Sequence, residues 1–180
     1  MDAQLIQRVQ ATKDHKAFEQ LVQLYQSPVR QFLRKLLKHN DAVADELAQE
    51  TFLKAFLNMG QYQHQGKFLS WLFSIAYRQF ANEYRKKGEL ISLDETKEQA
   101  LSSSPQEVQW HSEMTVKALM NYLHTEERAS LSLHFTFGMT HQEIAVVMDM
   151  PLGTVKSLIR RSKLKLKLLL EQQNKELVNE

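Results

Sequence analysis

The chain contains no cysteine, which excludes disulfides, thiolate nucleophiles and Cys-based zinc sites. That absence suits a cytoplasmic location, the one expected here. Three prolines and five glycines in 180 residues are too few for a turn-rich β architecture. Apolar runs are only a few residues long, so no segment is expected to span a membrane. The stretch Met1 to Phe18 is mixed polar and is not expected to act as a signal peptide. No Gly-rich phosphate loop is present. The seven histidines, at 15, 39, 64, 111, 124, 134 and 141, lack the i, i+3 or i, i+4 pairing of helical metal sites. Asp45-Glu46 and Glu126-Glu127 are adjacent acids, which do not face each other on a helix. No catalytic residues, metal, cofactor or small-molecule substrate are therefore expected, and an enzyme is the weakest reading.

What is present favours helix. Leu, Gln, Lys, Glu and Ala are plentiful, 43% of residues are hydrophobic and 24% are charged. No stretch alternates as a strand does, and no internal repeat is visible. The net charge of +2 is unevenly spread. Residues 1–88 carry 13 Lys/Arg against 8 Asp/Glu, residues 89–149 carry 3 against 10, and residues 150–180 carry 7 against 3. Two basic segments around an acidic middle suggest two contacts with a polyanion.

The expected organisation is all-α: two small helical domains, 1–87 and 113–180, joined by a flexible acidic linker, 88–112. The linker holds Ser102-Ser103-Ser104-Pro105 and has Glu89, Asp94, Glu95, Glu98 and Glu107 against Lys97 alone. In the first block Phe18, Leu21, Val22 and Tyr25 fall at helical spacing, and Val29, Phe32, Leu33, Leu36 and Leu37 do so again after Ser27-Pro28. Asn40-Asp41 is a helix start, because a short acceptor side chain can bond the free amides there. The following helix places Val43, Leu47, Phe52, Ala55 and Phe56 largely on one side, with Asp45, Glu46, Gln49 and Glu50 opposite. A polar loop, Gly60 to Lys67, leads to a last helix from about Ser70 to Lys87.

The sharpest signal lies between Gly138 and Leu170. Thr140 and Glu143 have capping-box spacing, so each side chain can bond the other's backbone amide. Ile144, Ala145, Val147 and Met148 form a short apolar face, and Pro151 stops that helix. On the next helix Val155, Leu158, Ile159, Ser162 and Leu166 line one side. Lys156, Arg160, Lys163 and Lys167 form a second stripe, widened by Arg161 and Lys165. A charge run alone usually marks a solvated face. Here a capped helix, a tight turn and a basic helix occur in the order of a helix-turn-helix, whose second helix enters the major groove. Thr154, Lys156 and Ser157 sit in its first turns, where base edges come closest.

The string "EIAVVMDMPLGTVKSLIRRSKLKL" resembles region 4 of the extracytoplasmic function group of the sigma-70 family. "DELAQETFLKAF" at Asp45 to Phe56 and "FLSWLFSIA" at Phe68 to Ala76 resemble region 2 of the same group. The resemblance implies an alternative RNA polymerase sigma factor that recognises promoters, melts DNA and starts transcription. It implies that Asp45, Glu46, Gln49 and Glu50 meet the β′ clamp helices of core polymerase. It implies that Gln61, Tyr62, His64, Lys67, Trp71, Tyr77, Arg78, Asn82, Arg85 and Lys86 serve the minus-ten element. Aromatics interleaved with cations suit unpaired bases and phosphates, and the loop Gln61–Lys67 would capture a flipped base. Thr154, Lys156, Ser157, Arg160, Arg161 and Lys163 would contact the minus-thirty-five duplex. The β flap would lie near Leu133, Phe135 and Phe137, the acidic linker would thread the polymerase cleft, and an anti-sigma factor, often membrane-tethered, would hold the protein inactive.

The chain departs from the family pattern at four positions. Asp149 stands where Gly is usual, and a left-handed residue there would cost about 1 kcal/mol. Leu158 stands where Arg is usual, which bears on one phosphate or base contact. Arg78 and Asn82 replace the usual Asn and Asp, which is expected to shift promoter preference. The competing reading is a conventional helix-turn-helix regulator with an N-terminal helical interaction domain, but the sequence of the first block gives no cue to a ligand cavity or dimer seam.

Overall fold

The computed structural model describes residues 2–38, 40–63, 66–86 and 116–178, and the expected 88–112 linker lies outside the described residues. Helix α1 (Asp2–Thr12) buries Leu5, Ile6 and Val9 along one face. Lys13, at φ 54°, ends it. Helix α2 (His15–Leu36) begins where Asp14 accepts the Ala17 amide at 3.0 Å. That bond, and then Arg8, holds the Asp14 carboxyl below its ordinary range. Ala17, Leu21, Val29, Phe32, Leu33 and Leu36 form the buried stripe of α2.

The helical spacing on either side of Ser27-Pro28 belongs to one helix, and α2 runs through Pro28. Proline forfeits one backbone bond in a helix interior. Apolar residues on both flanks lie on one buried face, so keeping the helix continuous outweighs that lost bond. Helix α3 (Asp41–Leu57) starts at Asn40, whose side chain accepts the Val43 amide at 3.4 Å. A short 3-10 turn (Met59–Gln61) and a loop then lead to α4 (Phe68–Lys86).

The second block comprises α5 (Val116–Leu119), a 3-10 turn (Met120–Tyr122), α6 (Thr125–Leu131), a π turn (Ser132–Thr136), α7 (His141–Met148) and α8 (Leu152–Val178). Gly138, at φ 65°, turns the chain from the π turn toward α7 in a conformation that favours glycine.

The two blocks share one core. Phe32, Phe73 and Phe80 of the first block and Leu133, Ile144 and Val155 of the second belong to one buried apolar cluster. Helix α7 packs against α4, and α6 against α2. The Phe137 ring meets Phe73 at 4.7 Å and Phe32 at 6.1 Å between centroids, both edge-on. The buried Arg128 guanidinium donates to Lys35 O at 2.7 Å, Leu36 O at 2.6 Å and Leu123 O at 2.9 Å. Two of these acceptors are terminal carbonyls of α2, where the helix dipole is negative. The cation therefore has charge-assisted partners in place of water. Lys35 Nζ donates to Thr136 Oγ1 at 2.8 Å across the same seam.

Replacing Arg128 by Met keeps a long unbranched side chain but removes all three hydrogen bonds. Urea unfolding of Arg128→Met is expected to show a loss of about 2–4 kcal/mol. A change below about 0.5 kcal/mol would mean that the seam contributes little.

Candidate nucleic-acid interface

Two helices hold the basic stripe in place. Thr140 Oγ1 accepts the Glu143 amide at 3.2 Å, and the Thr140 amide donates to Glu143 Oε2 at 2.8 Å. Both halves of the capping box are thus formed. The Thr140 backbone bond is the main reason that the Glu143 carboxyl lies below its ordinary value; its hydroxyl and Lys67 add to the effect against partial burial. Ile144, Val147 and Met148 turn into the core.

Helix α7 closes with the Met150 amide on Ala145 O at 3.0 Å and the Asp149 amide on Val146 O at 3.4 Å. This is a Schellman arrangement, with Asp149 at φ 53° in the left-handed position. The departure from glycine thus falls on a residue that does adopt positive φ, the conformation that glycine takes most readily. Pro151 follows, and its carbonyl accepts the Val155 amide at 3.1 Å.

Helix α8 then divides cleanly. Val155, Leu158, Ile159 and Ser162 are buried, and Ser162 Oγ donates to Leu158 O at 2.7 Å. Lys156, Ser157, Arg160, Arg161 and Lys163 are exposed, and Thr154 is half-buried. Ser157 Oγ donates to Thr154 O at 2.8 Å. Among the described residues Lys156, Arg160 and Arg161 make no ion pair, whereas Lys165 meets Glu127 at 3.8 Å and Lys167 meets Glu171 at 3.6 Å. Lys163 Nζ lies over the Phe135 ring at 5.4 Å. Leu158 is 4% exposed, so this position faces the core rather than the basic side. Of the three apolar residues assigned to the flap, Leu133 is fully buried, Phe137 sits in the seam and Phe135 is 60% exposed.

On α3, Glu46, Gln49 and Glu50 form an exposed row, and Leu47 and Phe52 are core. Asp45 turns back to α2, its Oδ1 lying 3.4 Å from Arg30 Nε and 3.6 Å from Arg34 Nη2. Lys54, spaced to pair with Glu50, donates to Gln79 instead. Leu53 and Leu57 extend the row and are 59% and 64% exposed. Sequence reading missed them, although their spacing from Gln49 and Glu50 is the i+4 and i+7 signal of one helix face.

The loop before α4 is braced from within. Tyr62 is buried, its hydroxyl donating to Gly66 O at 2.9 Å and its ring meeting Phe68 at 5.2 Å and Trp71 at 5.4 Å. Burial raises the Tyr62 phenol pKa. Gln61 and Lys67 are exposed, and Lys67 approaches Glu143 at 3.8 Å. Along α4, Trp71 is half-buried, Tyr77 is buried beside Phe80, and Arg78 and Asn82 are exposed one turn apart. His64 lies outside the described residues, as do the side chains of Arg85 and Lys86. The structure thus brings Gln61, Lys67, Arg78 and Asn82 to the surface and places the Tyr62 and Tyr77 rings beneath it.

Comparison with known proteins matches both halves to one family. Residues 21–89 match sigma-70 region 2, and residues 113–166 match sigma-70, region 4. The chain is similar to the RNA polymerase sigma-H factor of Pseudomonas aeruginosa, at 30% identity over 175 residues and 90% of each chain. It is also similar to the ECF RNA polymerase sigma-E factor of Haemophilus influenzae, at 28% identity over 90% of this chain and 91% of that one. Its fold resembles that of the sigma factor RpoE of Bartonella quintana, solved in complex with the anti-sigma factor NepR. The TM-score is 0.65 at 24% identity, covering 87% of this chain and 98% of that one.

The chain belongs to the sigma-70 family, in its extracytoplasmic function group. It is an alternative sigma factor, a DNA-binding protein that directs RNA polymerase to promoters for transcription initiation.

The Asp149 geometry has a measurable consequence. Asp149→Gly relieves the left-handed strain and is expected to raise unfolding stability by about 1 kcal/mol. Because Asp149 stands off the basic face, duplex affinity should change less than threefold. A destabilised variant would show that Asp149 makes a compensating interaction.

Proposed function

We propose that residues 1–87 bind core polymerase and the minus-ten element, that 113–180 bind the minus-thirty-five duplex, and that 88–112 connect them. The observation that carries this reading is the row Lys156, Arg160 and Arg161, exposed and, among the described residues, free of ion pairs, on a helix whose other side is buried. Cations with no partner of their own can neutralise phosphates and release counterions. Thr154, Ser157 and Lys163 complete the surface, with the early residues nearest the base edges. Linking two such modules raises the effective concentration of each at the correct spacing.

Glu46, Gln49 and Glu50 meet the β′ clamp helices, with Asp45 ordering the row from behind and Leu53 and Leu57 adding apolar contact. Gln61, His64 and Lys67 of the loop, with Trp71, Arg78, Asn82, Arg85 and Lys86 of α4, serve the opened minus-ten strand. Tyr62 and Tyr77 shape that surface from beneath. Phe135 supplies the apolar contact to the β flap. The protein acts in the cytoplasm without catalysis of its own; among the described residues no helix is long and apolar enough to cross a membrane. An anti-sigma factor holds it inactive, a partner of the kind present in the complex of the similar Bartonella quintana sigma factor.

Titration of promoter duplex at several salt concentrations tests the phosphate contacts. Lys156→Ala and Arg160→Ala are each expected to weaken binding about tenfold and to reduce the salt slope by about 1. Unchanged slopes in both variants would remove α8 from the duplex interface.

A further inference from the structure

Helix α1 precedes the stretch that matches region 2, which begins at residue 21. Its apolar face is spent on the core, yet two polar side chains, one on its last turn and one just past its end, reach across to residues 56–62. Lys13 Nζ donates to Phe56 O at 3.2 Å and Leu57 O at 3.4 Å, the last carbonyls of α3. One turn earlier, the Gln10 side-chain amide donates to Met59 O at 3.1 Å and Tyr62 O at 2.8 Å. Those two carbonyls bracket the 3-10 turn from which the loop departs. Met59 is fully buried and Gln10 half-buried, so water is a poor substitute for this amide.

We infer that Gln10 is a positioning residue for minus-ten recognition, holding the entry of the loop that presents Gln61 and Lys67. The inference rests on the proposed role of that loop in reading DNA. The chemistry is specific. Two carbonyls converge on one NH2 group, and only a donor can serve both. Tyr62 is the residue so held at its backbone. Its hydroxyl is in turn held on Gly66 O across the loop, and its ring on Phe68 and Trp71 of α4. Losing the Gln10 amide frees the loop's entry while its exit on α4 stays fixed, so the exposed side chains between them lose their register against an unstacked base.

The test uses holoenzyme, assembled from core polymerase and the full chain, on paired promoters altered in either the minus-ten or the minus-thirty-five element. Gln10→Leu and Gln10→Glu are expected to lower discrimination at the minus-ten element about fivefold, the scale of one lost hydrogen bond. Discrimination at the minus-thirty-five element and affinity for core should stay unchanged. Gln10→Lys, which can donate to two carbonyls as Lys13 does, should restore most of the loss. A purely structural role would instead lower transcription from all promoters in proportion and leave both discriminations intact, which would overturn the inference. Should Gln10→Glu fail to fold, the uncharged Gln10→Leu carries the comparison. Gln61→Ala and Lys67→Ala, run in parallel, separate the two ideas. If they shift minus-ten discrimination and the Gln10 variants do not, the brace fails and the loop assignment stands. If neither set shifts it, the loop assignment fails and the inference falls with it.

Discussion

The arrangement depends on one buried cation. Arg128 lies in the second block, yet it fills the end of a helix in the first, donating to the carbonyls of Lys35 and Leu36. Burying a guanidinium costs several kcal/mol unless hydrogen bonds replace its water. Here the three carbonyl acceptors do so, two of them in the negative field of a helix C-terminus. Phe137 sits beside this polar joint against Phe32 and Phe73, so the seam has a polar anchor and an apolar filler. The packing of α7 on α4 and the placement of Lys67 near Glu143 accompany this joint.

Function comes from what the packing leaves unpaired. Helix α8 spends Val155, Leu158 and Ile159 on the core, and the capping box and Schellman turn fix the direction in which its other side points. Charge placed on a rigid, anchored helix loses little entropy when it meets a phosphate, unlike the same charge on a free tail. The contrast with Lys165 and Lys167 is instructive. They share the helix and the sign of charge, yet each already has an acidic partner. Lys156, Arg160 and Arg161, which make no ion pair among the described residues, lie in its N-terminal half, where a helix-turn-helix approaches the groove most closely.

Local signals were legible in the sequence. The Thr140 box, the Asn40 cap and the two faces of α8 all follow from spacing and side-chain chemistry within a few residues, and the structure has each of them. The left-handed Asp149 was legible only through the family resemblance, which has Gly at that position. Longer-range facts were not. Nothing near Arg128 announces that two of its three acceptors lie 92 and 93 positions away. Tyr77 read as a base-stacking ring because aromatics and cations interleave along α4, but periodicity cannot say which rings a neighbouring helix covers, and this one is buried. Leu158 illustrates the converse. As a family departure it suggested a missing contact, yet its place on the buried side of α8 removes that concern.

The most direct measurement is run-off transcription by bacterial core polymerase, with and without this protein, on a library of promoter-length duplexes. A sigma factor of this kind should make initiation depend on the protein and cluster it at sites with two separated elements. Duplex binding that never redirects core polymerase would contradict the account and leave a conventional helix-turn-helix regulator in its place.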